Sequence, residues 1–549
     1  MNILFVLYGD LSSNSMIPLA LYARKFQERG DLCSVAVPSN IDSAQPWPDS
    51  DVRAVLYSDV LRSPESAFSN GRPADVIHAW TPREVVRRFV TTYMAKRPTP
   101  LIIYLEDHER WITTRMLGLE EEKLIQQTEQ HVSECMPGSL SHPFRYASFI
   151  GLADAVAVIQ DKLGPEVPPW VHYETVMPPV DLEFFSPRSA DPILRKHYGV
   201  AEDERVIVYP GGLNSITRQS IKTLAVAVCM LNQQGMRCRL LRTGPFPLDF
   251  LDELPPEFVS FISDLGLVER RMLPDLLALA DVFVQPGSID PFEDLRLPGK
   301  IPEMLAMARP VVLPDVNIAH LFEDGIDAVI TRTGTAGEIA ARCQELFSDP
   351  ERAGAIGRAG RRFAEKHFDP AAQAARMSKV YEIGCGNFDP VTASAVWSHD
   401  ADAQASTTLL ARKLRNLAAA PYRNFPIQAP QLLVEHADYI ELMQARVGGL
   451  ESEIERLEAQ IAGLARAAEV REVQVDELNQ AVTVRNGRLA GLKRALIERV
   501  EDVQFDEAWY LEQNPDVAAQ GMDPYEHYVI FGRAEGRPPA PPAVSDVSR

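Results

Sequence analysis

Residues 276–315 read LLALADVFVQPGSIDPFEDLRLPGKIPEMLAMARPVVLPD, a pattern that predicts helix, strand, long polar loop, helix and strand. The apolar runs 282–285 and 311–313 predict the two strands, and the second helix begins near Pro298. Strands separated by helices form parallel sheets. Lys300 and Glu303 would therefore lie at a helix N-terminus on the carboxyl edge of a sheet. Ligands of open α/β sheets bind at that edge, and helix N-termini attract anions such as phosphates.

The same alternation of strand and helix extends over the first 380 residues. Predicted strands lie at 3–7, 32–37, 76–78, 101–104 and 153–159, with a helix at 16–29. A second series follows at 206–209, 239–242, 259–262, 282–285 and 311–313, closed by helical segments at 349–367 and 369–381. The sequence therefore predicts an α/β protein with two doubly wound, Rossmann-like domains.

The segment 276–315 resembles the donor-sugar site of retaining glycosyltransferases of the GT-B fold, in the large family 4 group. Residues 176–187 also resemble the connector between the two domains of that family. The resemblance implies an acceptor-side domain at 1–183, a nucleotide-sugar domain at 184–383, a cleft between them and a last helix that crosses back to the first domain. The matching residues are Ala280, Asp281, Pro286, Phe292, Pro298, Lys300, Glu303, Ala306, Pro310 and Val311.

The resemblance also implies a donor site. Glu303 would hold the ribose, because one carboxylate can accept hydrogen bonds from both ribose hydroxyls. Lys300 and Arg218, with Lys222 as a second candidate, would neutralise the diphosphate as charge builds on the leaving group. The alternatives are a helix-dipole role for Glu303 and solvated surface positions for the basic residues. Loop residues predicted to line the donor site are Gly9, Gly211, Gly212, Thr243, Gly244 and Pro298.

Two positions depart from the family pattern. Gly212 stands where the family often has an arginine, and Leu295 stands where the first of two motif glutamates is expected. About five residues are inserted before Glu303, so Asp290, Glu293 or Asp294 would have to supply a carboxylate near the sugar, and a surface-loop role is the alternative for each.

In the first domain, Asp107 and His108 follow the predicted strand 101–104, where the family often has a histidine that faces the sugar. Together with Asp290 they are the predicted catalytic residues, and capping of the loop is the alternative role. The chain shows no metal-binding motif, and proteins of this fold generally neutralise the diphosphate with helix dipoles and cations. We therefore expect no cofactor and no metal.

Beyond the two domains the sequence predicts a linker at 384–438, a coiled coil at 439–501 and a small helical module at 505–540. β-Branched residues at a and Leu at d favour a parallel homodimer, roughly 75 Å long at 1.5 Å per residue. The alternatives are a single long helix packed on the body and a spacer that holds the enzyme away from a partner. The module resembles one attached to bacterial surface-polysaccharide and secreted proteins, and Trp509, Tyr510, Tyr528 and Phe531 are its predicted core. The heptad positions are Val447, Leu450, Ile454, Leu457, Ile461, Leu464, Ala468, Val475, Leu478, Val482, Leu489, Leu492 and Leu496.

Composition narrows the environment and the partners. The net charge of −21 over 549 residues argues against general nucleic-acid binding. Six scattered cysteines and the lack of a signal peptide or a long apolar run predict a cytoplasmic protein. The basic amphipathic segment 83–97 predicts either a core helix with a solvated face or a peripheral contact with anionic lipid at the inner face of the membrane.

These features together predict retaining transfer of a sugar from a nucleotide-diphosphate donor to a bacterial surface glycan or glycolipid. Two other functions stay open. The broken motif and the coiled coil suit a glycosyltransferase-like scaffold that assembles partners. A nucleotide-sugar site could also serve epimerisation or phosphorolysis.

Overall fold

The computed structural model describes residues 1–43, 52–118, 132, 136–213, 217–244, 250, 254–397, 504–520 and 523–541. Contacts divide the chain into two units, Met1–Asp438 and Tyr439–Arg549. Two parallel sheets in the first unit account for the two predicted Rossmann-like domains. The predicted coiled coil lies outside the described residues.

Short apolar strands, most of them fully buried, build the first domain. Such runs suit a parallel sheet that helices cover on both faces. The strands are β1 (Asn2–Val6), β2 (Leu32–Val37), β3 (Arg53–Leu56), β4 (Val76–Trp80), β5 (Leu101–Leu105), β6 (Ala155–Val158) and β7 (Tyr173–Thr175). The helices are α1 (Met16–Glu28), α2 (Tyr57–Arg62), α3 (Glu84–Lys96), α4 (Glu109–Leu117) and α5 (Tyr146–Gly151). The strand order is β3-β2-β1-β4-β5-β6-β7, and every pairing is parallel.

The second domain repeats this plan with six described strands. They are β8 (Arg205–Pro210), β9 (Cys238–Thr243), β10 (Ile262–Asp264), β11 (Val282–Val284), β12 (Val311–Pro314) and β13 (Val329–Thr331). The helices are α6 (Pro192–His197), α7 (Arg218–Gln233), α8 (Pro256–Val259), α9 (Leu273–Leu277), α10 (Pro291–Asp294), α11 (Lys300–Ala306), α12 (Ala336–Ser348) and α13 (Pro350–His367). The strand order is β10-β9-β8-β11-β12-β13, again parallel throughout.

In each sheet the strand order reverses next to the first strand of the domain. The loops after β1 and β4, and after β8 and β11, therefore diverge and open a crevice at the carboxyl edge, where ligands of such sheets bind. This topology confirms the predicted fold class. It also explains why the residues that follow these strands are the candidates for function.

The helix α14 (Pro370–Asn387) crosses back to the first domain, as the resemblance implied, and packs on α1, β5 and β6. Its Tyr381 hydroxyl lies 2.7 Å from Nδ1 of buried His78 in β4. Burial lowers the pKa of His78 to about 3. His78 is therefore a neutral core residue that ties the crossing helix to the first sheet.

Two predicted boundaries are wrong. The strand predicted at 259–262 begins at Ile262, because Pro256 starts the short helix α8 and keeps the chain helical through Val259. The first part of the predicted linker is also helical: α14 extends to Asn387, and α15 (Pro390–Trp397) packs against α3. Burial of Trp397 stabilises this second helix on the first domain.

The helix α3 bears on the two predictions for the segment 83–97, a core helix with a solvated face or a contact with anionic lipid. Its apolar residues, Val86, Phe89, Val90, Tyr93 and Met94, are buried in the protein, so they do not form an open lipid-binding face. No helix among the described residues is long and apolar enough to cross a bilayer.

The described part of the C-terminal module has three short helices, α16 (Glu507–Gln513), α17 (Pro515–Gln520) and α18 (Pro524–His527), followed by a π-helical turn at Tyr528–Gly532. Tyr510 and Tyr528 form its core with Val517, so two of the four predicted core residues are in the core. Phe531 is 45% exposed and Trp509 is half-buried, whereas Val517 and Val529 are buried in the core.

The module's motif residues have structural roles. A Cβ at Gly532 would lie 2.1 Å from the Tyr510 hydroxyl, so only glycine fits there. Arg537 donates hydrogen bonds to Asn514 (3.0 Å) and Asp516 (2.9 Å), which fastens the end of the module to the start of α17.

Candidate functional site

The helix α11 begins at Lys300, and Glu303 lies in its first turn as predicted. The Glu303 carboxylate is nearly buried, and Nη2 of Arg270 lies 2.6 Å from its Oε1. Among the described residues its other oxygen, Oε2, has no hydrogen-bond partner. A partner arginine that holds one oxygen and leaves the second available suits a carboxylate that must receive a ligand. The sequence analysis did not identify Arg270, because this residue lies 33 positions from Glu303 in the chain, in a short turn.

Lys300 reaches across to the end of β8. Its Nζ donates a hydrogen bond to the Tyr209 hydroxyl (2.9 Å) and lies 4.4 Å from the centre of that ring. A Cβ at Gly211 would lie 2.8 Å from Cε of Lys300. Gly211 is therefore needed to let the lysine lie beside the loop after β8.

The loops after β8 and β9 pack directly on each other. Gly244 has φ +93°, and a Cβ there would lie 2.5 Å from the backbone nitrogen of Gly212. Fully buried Arg242 joins the same loops by donating to the carbonyl oxygens of Gly211 (3.1 Å) and Gly244 (2.8 Å) and to Asp264 (3.1 Å). The available sequence signal was Arg242 within the strand β9, which also contains Arg239. These contacts give Gly211, Gly212 and Gly244 a role in shaping the crevice, and Thr243 is buried at its base.

Arg218 and Lys222 lie on the first two turns of α7, directly after the loop that follows β8. The Arg218 guanidinium lies 5.7 Å from the centre of the Phe250 ring. Both side chains are half-buried at the carboxyl edge of the second sheet. Pro298 is buried, and its carbonyl accepts a hydrogen bond from Ile301 (3.0 Å), which starts α11.

The structure distinguishes the three carboxylates before Glu303. Asp290 caps α10 by accepting a hydrogen bond from the Glu293 backbone (2.9 Å). Glu293 is buried, lies 3.1 Å from Arg296, and faces Gly287 in the loop after β11. Burial raises the pKa of Glu293, and the Arg296 charge opposes the rise. Asp290 stays a predicted catalytic residue, but its capping role makes Glu293 the better candidate to face the donor.

Asp294 instead links the two domains. Its carboxylate lies 2.5 Å from Nζ of Lys162 and accepts a hydrogen bond from the Asn317 backbone (3.0 Å). The Gln160 amide donates to the Asp294 carbonyl (3.0 Å). Beside it, Phe292 packs with Ile112 and Leu140 of the first domain. The carboxyl edges of the two sheets therefore face each other across a cleft.

On the first domain, His108 begins α4. Its Nδ1 accepts a hydrogen bond from the Trp111 backbone (3.2 Å), and its Nε2 lies 3.2 Å from Glu166. Since both ring nitrogens are engaged, the capping role that was the alternative for His108 is present in this structure. Asp107 is half-buried, and its side chain makes no hydrogen bond or ion pair with any described residue. Gly9 is half-buried near Ser13, with room for a Cβ.

Glu106, at the end of β5, is a candidate that the sequence analysis missed. It accepts a hydrogen bond from the Ser15 hydroxyl (2.6 Å), in the loop after β1. Burial raises the pKa of Glu106 to about 7, Asp107 adds to the rise, and Ser15 and the Arg83 charge oppose it. Its burial depends on the whole domain and is therefore not visible in the local sequence pattern.

We expect Glu106→Gln to change how stability depends on pH. Since folding raises this pKa above its ordinary value, the carboxyl's contribution is fully present below about pH 4.5 and is lost as the pH rises through about 7. Glutamine does not ionise, so the free energy of unfolding of the variant should rise relative to wild type between pH 5 and pH 8, by at most about 3 kcal/mol. The melting temperature of the variant should rise relative to wild type over the same pH range. Exposed Glu351→Gln is the control, and parallel melting profiles for Glu106→Gln and wild type would contradict the burial argument.

The two facing parallel-sheet domains and the crossing helix α14 define the GT-B fold. Residues 204–349 match the family model described as "Glycosyl transferases group 1".

Among the described residues no group of three or more His, Cys, Asp or Glu side chains could hold a metal ion.

Two individual relatives are also named as glycosyltransferases. The chain is 28% identical over 199 residues to "Putative glycosyltransferase EpsD" of Bacillus subtilis (strain 168), covering 34% of this chain and 48% of that protein. It is 25% identical over 219 residues to "D-inositol 3-phosphate glycosyltransferase" of Thermobispora bispora, covering 38% and 49%. The chain thus spans about half the length of these relatives.

Solved structures share the fold. Anabaena Alr3699/HepE in complex with UDP and glucose is 15% identical, with a TM-score of 0.53 over 70% of this chain and 99% of that one. Sucrose-phosphate synthase of Thermosynechococcus elongatus is 14% identical, with a TM-score of 0.50 over 70% and 98%.

Proposed function

We propose that this chain is a group 1 glycosyltransferase that moves a hexosyl group from a nucleotide-diphosphate sugar to a bacterial surface glycan or glycolipid. The observation that carries this proposal is the pairing of Lys300 and Glu303 at the start of α11, at the carboxyl edge of the second sheet. A cation suits the diphosphate, and a carboxylate with one available oxygen suits ribose hydroxyls. The group 1 family match over 204–349 covers this site.

The proposed reaction retains the anomeric configuration. The bond between the anomeric carbon and the diphosphate oxygen breaks, and the electron pair leaves with the nucleoside diphosphate. The acceptor oxygen bonds to the same face of that carbon, and its proton passes to the leaving phosphate. Lys300 and Arg218 stabilise the charge that builds on the phosphate, Glu303 holds the ribose, and Glu293 faces the sugar.

Because these cations and the α11 N-terminus supply positive charge, we expect the transfer to need no metal or other cofactor. We also propose a cytoplasmic location with a peripheral membrane contact outside the apolar face of α3, and a homodimer through the parallel coiled coil predicted at 439–501. The scaffold role stays the alternative, since Leu295 replaces the first motif glutamate.

The test is calorimetry with UDP, GDP, ADP, CDP and dTDP in EDTA, followed by the nucleotide sugars of whichever binds. We expect micromolar binding of one nucleotide, and UDP is tried first because the HepE complexes hold it. No binding to any of the five would contradict a donor site and favour the scaffold.

A further inference from the structure

One loop of the second domain is held by the first domain across the cleft. It is the segment 290–296, which lies between β11 and α11 and contains the short helix α10. Nζ of Lys162 lies 2.5 Å from Oδ1 of Asp294, and the Gln160 amide donates a hydrogen bond to the Asp294 carbonyl (3.0 Å). Lys162 and Gln160 both lie in the turn after β6. The first domain therefore holds the side chain and the backbone of Asp294 together.

The first domain also holds the side chain two positions earlier in this loop. Phe292 is 8% exposed and packs with Ile112 and Leu140. The Arg115 guanidinium lies 4.9 Å from the centre of the Phe292 ring. Ile112 and Arg115 belong to α4, so the loop is attached to the first domain at two separate places, α4 and the turn after β6.

Glu293 lies between these two attached residues and faces back toward its own domain. A Cβ at Gly287, in the loop after β11, would lie 3.6 Å from Oε2 of Glu293. Burial raises the pKa of Glu293, and the charges of Arg296 and Lys300 oppose the rise. Glu293 is therefore within electrostatic reach of the cation proposed for the diphosphate, while its two neighbours in the chain contact the first domain.

The second domain fixes Asp294 from its own side. Oδ1 of Asp294 also accepts a hydrogen bond from the Asn317 backbone (3.0 Å), and buried Asn317 has φ +49°. Asparagine is one of the few residues that adopt this left-handed conformation readily. The side chains of Lys162 and Asp294 are 29% and 36% exposed, so water reaches their ion pair. Such pairs are weak, and this one can break and form again when the two domains move.

We propose that Lys162 and Asp294 are positioning residues for the donor sugar, because their ion pair across the cleft fixes Glu293 against that sugar. Breaking the pair would release one attachment of the segment 290–296, and the Glu293 carboxylate would lose its fixed place. Small displacements of a group that contacts a substrate have large effects. Lys300 and Glu303 lie on α11, after this segment, so binding of the nucleoside diphosphate should not depend on the pair.

The first experiment examines the ion pair itself and needs no substrate. Hydrogen exchange, followed by mass spectrometry, compares the full wild-type chain with Lys162→Met, Asp294→Asn and the double variant. Asparagine keeps an oxygen for the Asn317 backbone, so Asp294→Asn removes mainly the charge. We expect exchange at 290–297 to be at least fivefold faster in each single variant and no faster in the double variant, with 301–306 unchanged. Wild-type exchange at 290–297 in both single variants would overturn the proposal.

The second experiment rests on the proposed function and uses the nucleotide found in the screen. Calorimetry compares the affinity for that nucleoside diphosphate with the affinity for its nucleotide sugar. We expect Lys162→Met to bind the nucleoside diphosphate within twofold of wild type and the nucleotide sugar at least fivefold more weakly. Lys162→Arg keeps the cation and should bind both within twofold of wild type. Binding of no nucleotide would count against the proposed function, whereas the exchange experiment would still decide whether the pair fixes the loop.

Glu293→Gln shows whether the pair acts through Glu293. This variant should also lose affinity for the nucleotide sugar alone, and adding Lys162→Met to it should cause no further loss. Lys379→Met is the matched control, because it removes an exposed lysine from another ion pair, with Glu174 (2.7 Å), outside the segment 290–296. It should leave both affinities unchanged. Equal losses of both affinities in Lys162→Met, or additive losses in the Glu293→Gln background, would overturn the proposal.

Discussion

Glu303→Ala is expected to weaken nucleoside diphosphate binding by about 100-fold or more. Hydrogen bonds to a charged group contribute about 1.5–3 kcal/mol each, and the ribose offers two hydroxyls to one carboxylate, so the loss should exceed about 2.7 kcal/mol. Calorimetry with the nucleotide identified in the screen measures this change directly.

The ion pair with Arg270 requires a second variant. Alanine removes the partner of a nearly buried arginine, so Glu303→Ala should also lower the melting temperature. Glu303→Gln keeps the shape and one acceptor for Arg270, and should fold like wild type while still losing at least tenfold in affinity. If Glu303→Gln binds the nucleotide as wild type does, the carboxylate does not hold the ribose.

Glu351→Ala is the matched control. Glu351 is also in the first turn of a helix, α13, but it is exposed and away from the carboxyl edge. If Glu303 served only the helix dipole, both substitutions would have similar small effects on stability and none on affinity. We expect Glu351→Ala to leave nucleotide binding unchanged.

Lys300→Met is expected to lower kcat for sugar transfer by about 10²–10³-fold. A preorganised cation at the leaving phosphate acts where charge develops, and removing one such group typically costs about 2.7–4 kcal/mol of transition-state stabilisation. Nucleotide affinity should fall less, because the diphosphate already carries its charge before the bond breaks. Steady-state release of the nucleoside diphosphate measures kcat once a donor is known.

The surroundings of Lys300 supply graded comparisons. Tyr209→Phe removes the hydroxyl that positions Nζ and should lower kcat only severalfold. Exposed Lys196→Met changes the same charge far from the cleft and should leave kcat unchanged. A kcat for Lys300→Met within threefold of wild type would show that another group neutralises the leaving phosphate.

The sequence predicted the buried strands well, because apolar runs between turn residues carry a local signal. The strand at Leu32–Val37 and the helix starting at Met16 were predicted at their observed starts. Short strands at the sheet edges, Arg53–Leu56 and Tyr173–Thr175, were missed because their exposed and polar residues interrupt the pattern. At Pro256 the proline starts a helical turn, although the short apolar run at 259–262 had predicted a strand there.

For the candidate site, the order of residues along the chain placed Lys300 and Glu303 at a helix start, and the structure agrees. The sequence did not predict which groups each of these side chains contacts. His108 was assigned to the sugar from its position after a strand, but the neighbouring helix takes one ring nitrogen and Glu166 takes the other. Glu293, rather than Asp290, faces Gly287 in the loop after β11, because Asp290 caps α10.

The sequence by itself thus determined the two α/β domains, the carboxyl-edge position of the site and the helix start that carries Lys300 and Glu303. These features follow from local patterns of apolar residues, prolines and glycines. Only the tertiary structure decided that Arg270 holds Glu303, that Arg242 joins two loops, and that Arg83 pairs with buried Glu109. Those partners are far apart in the chain, and burial and charge depend on which distant side chains folding brings together.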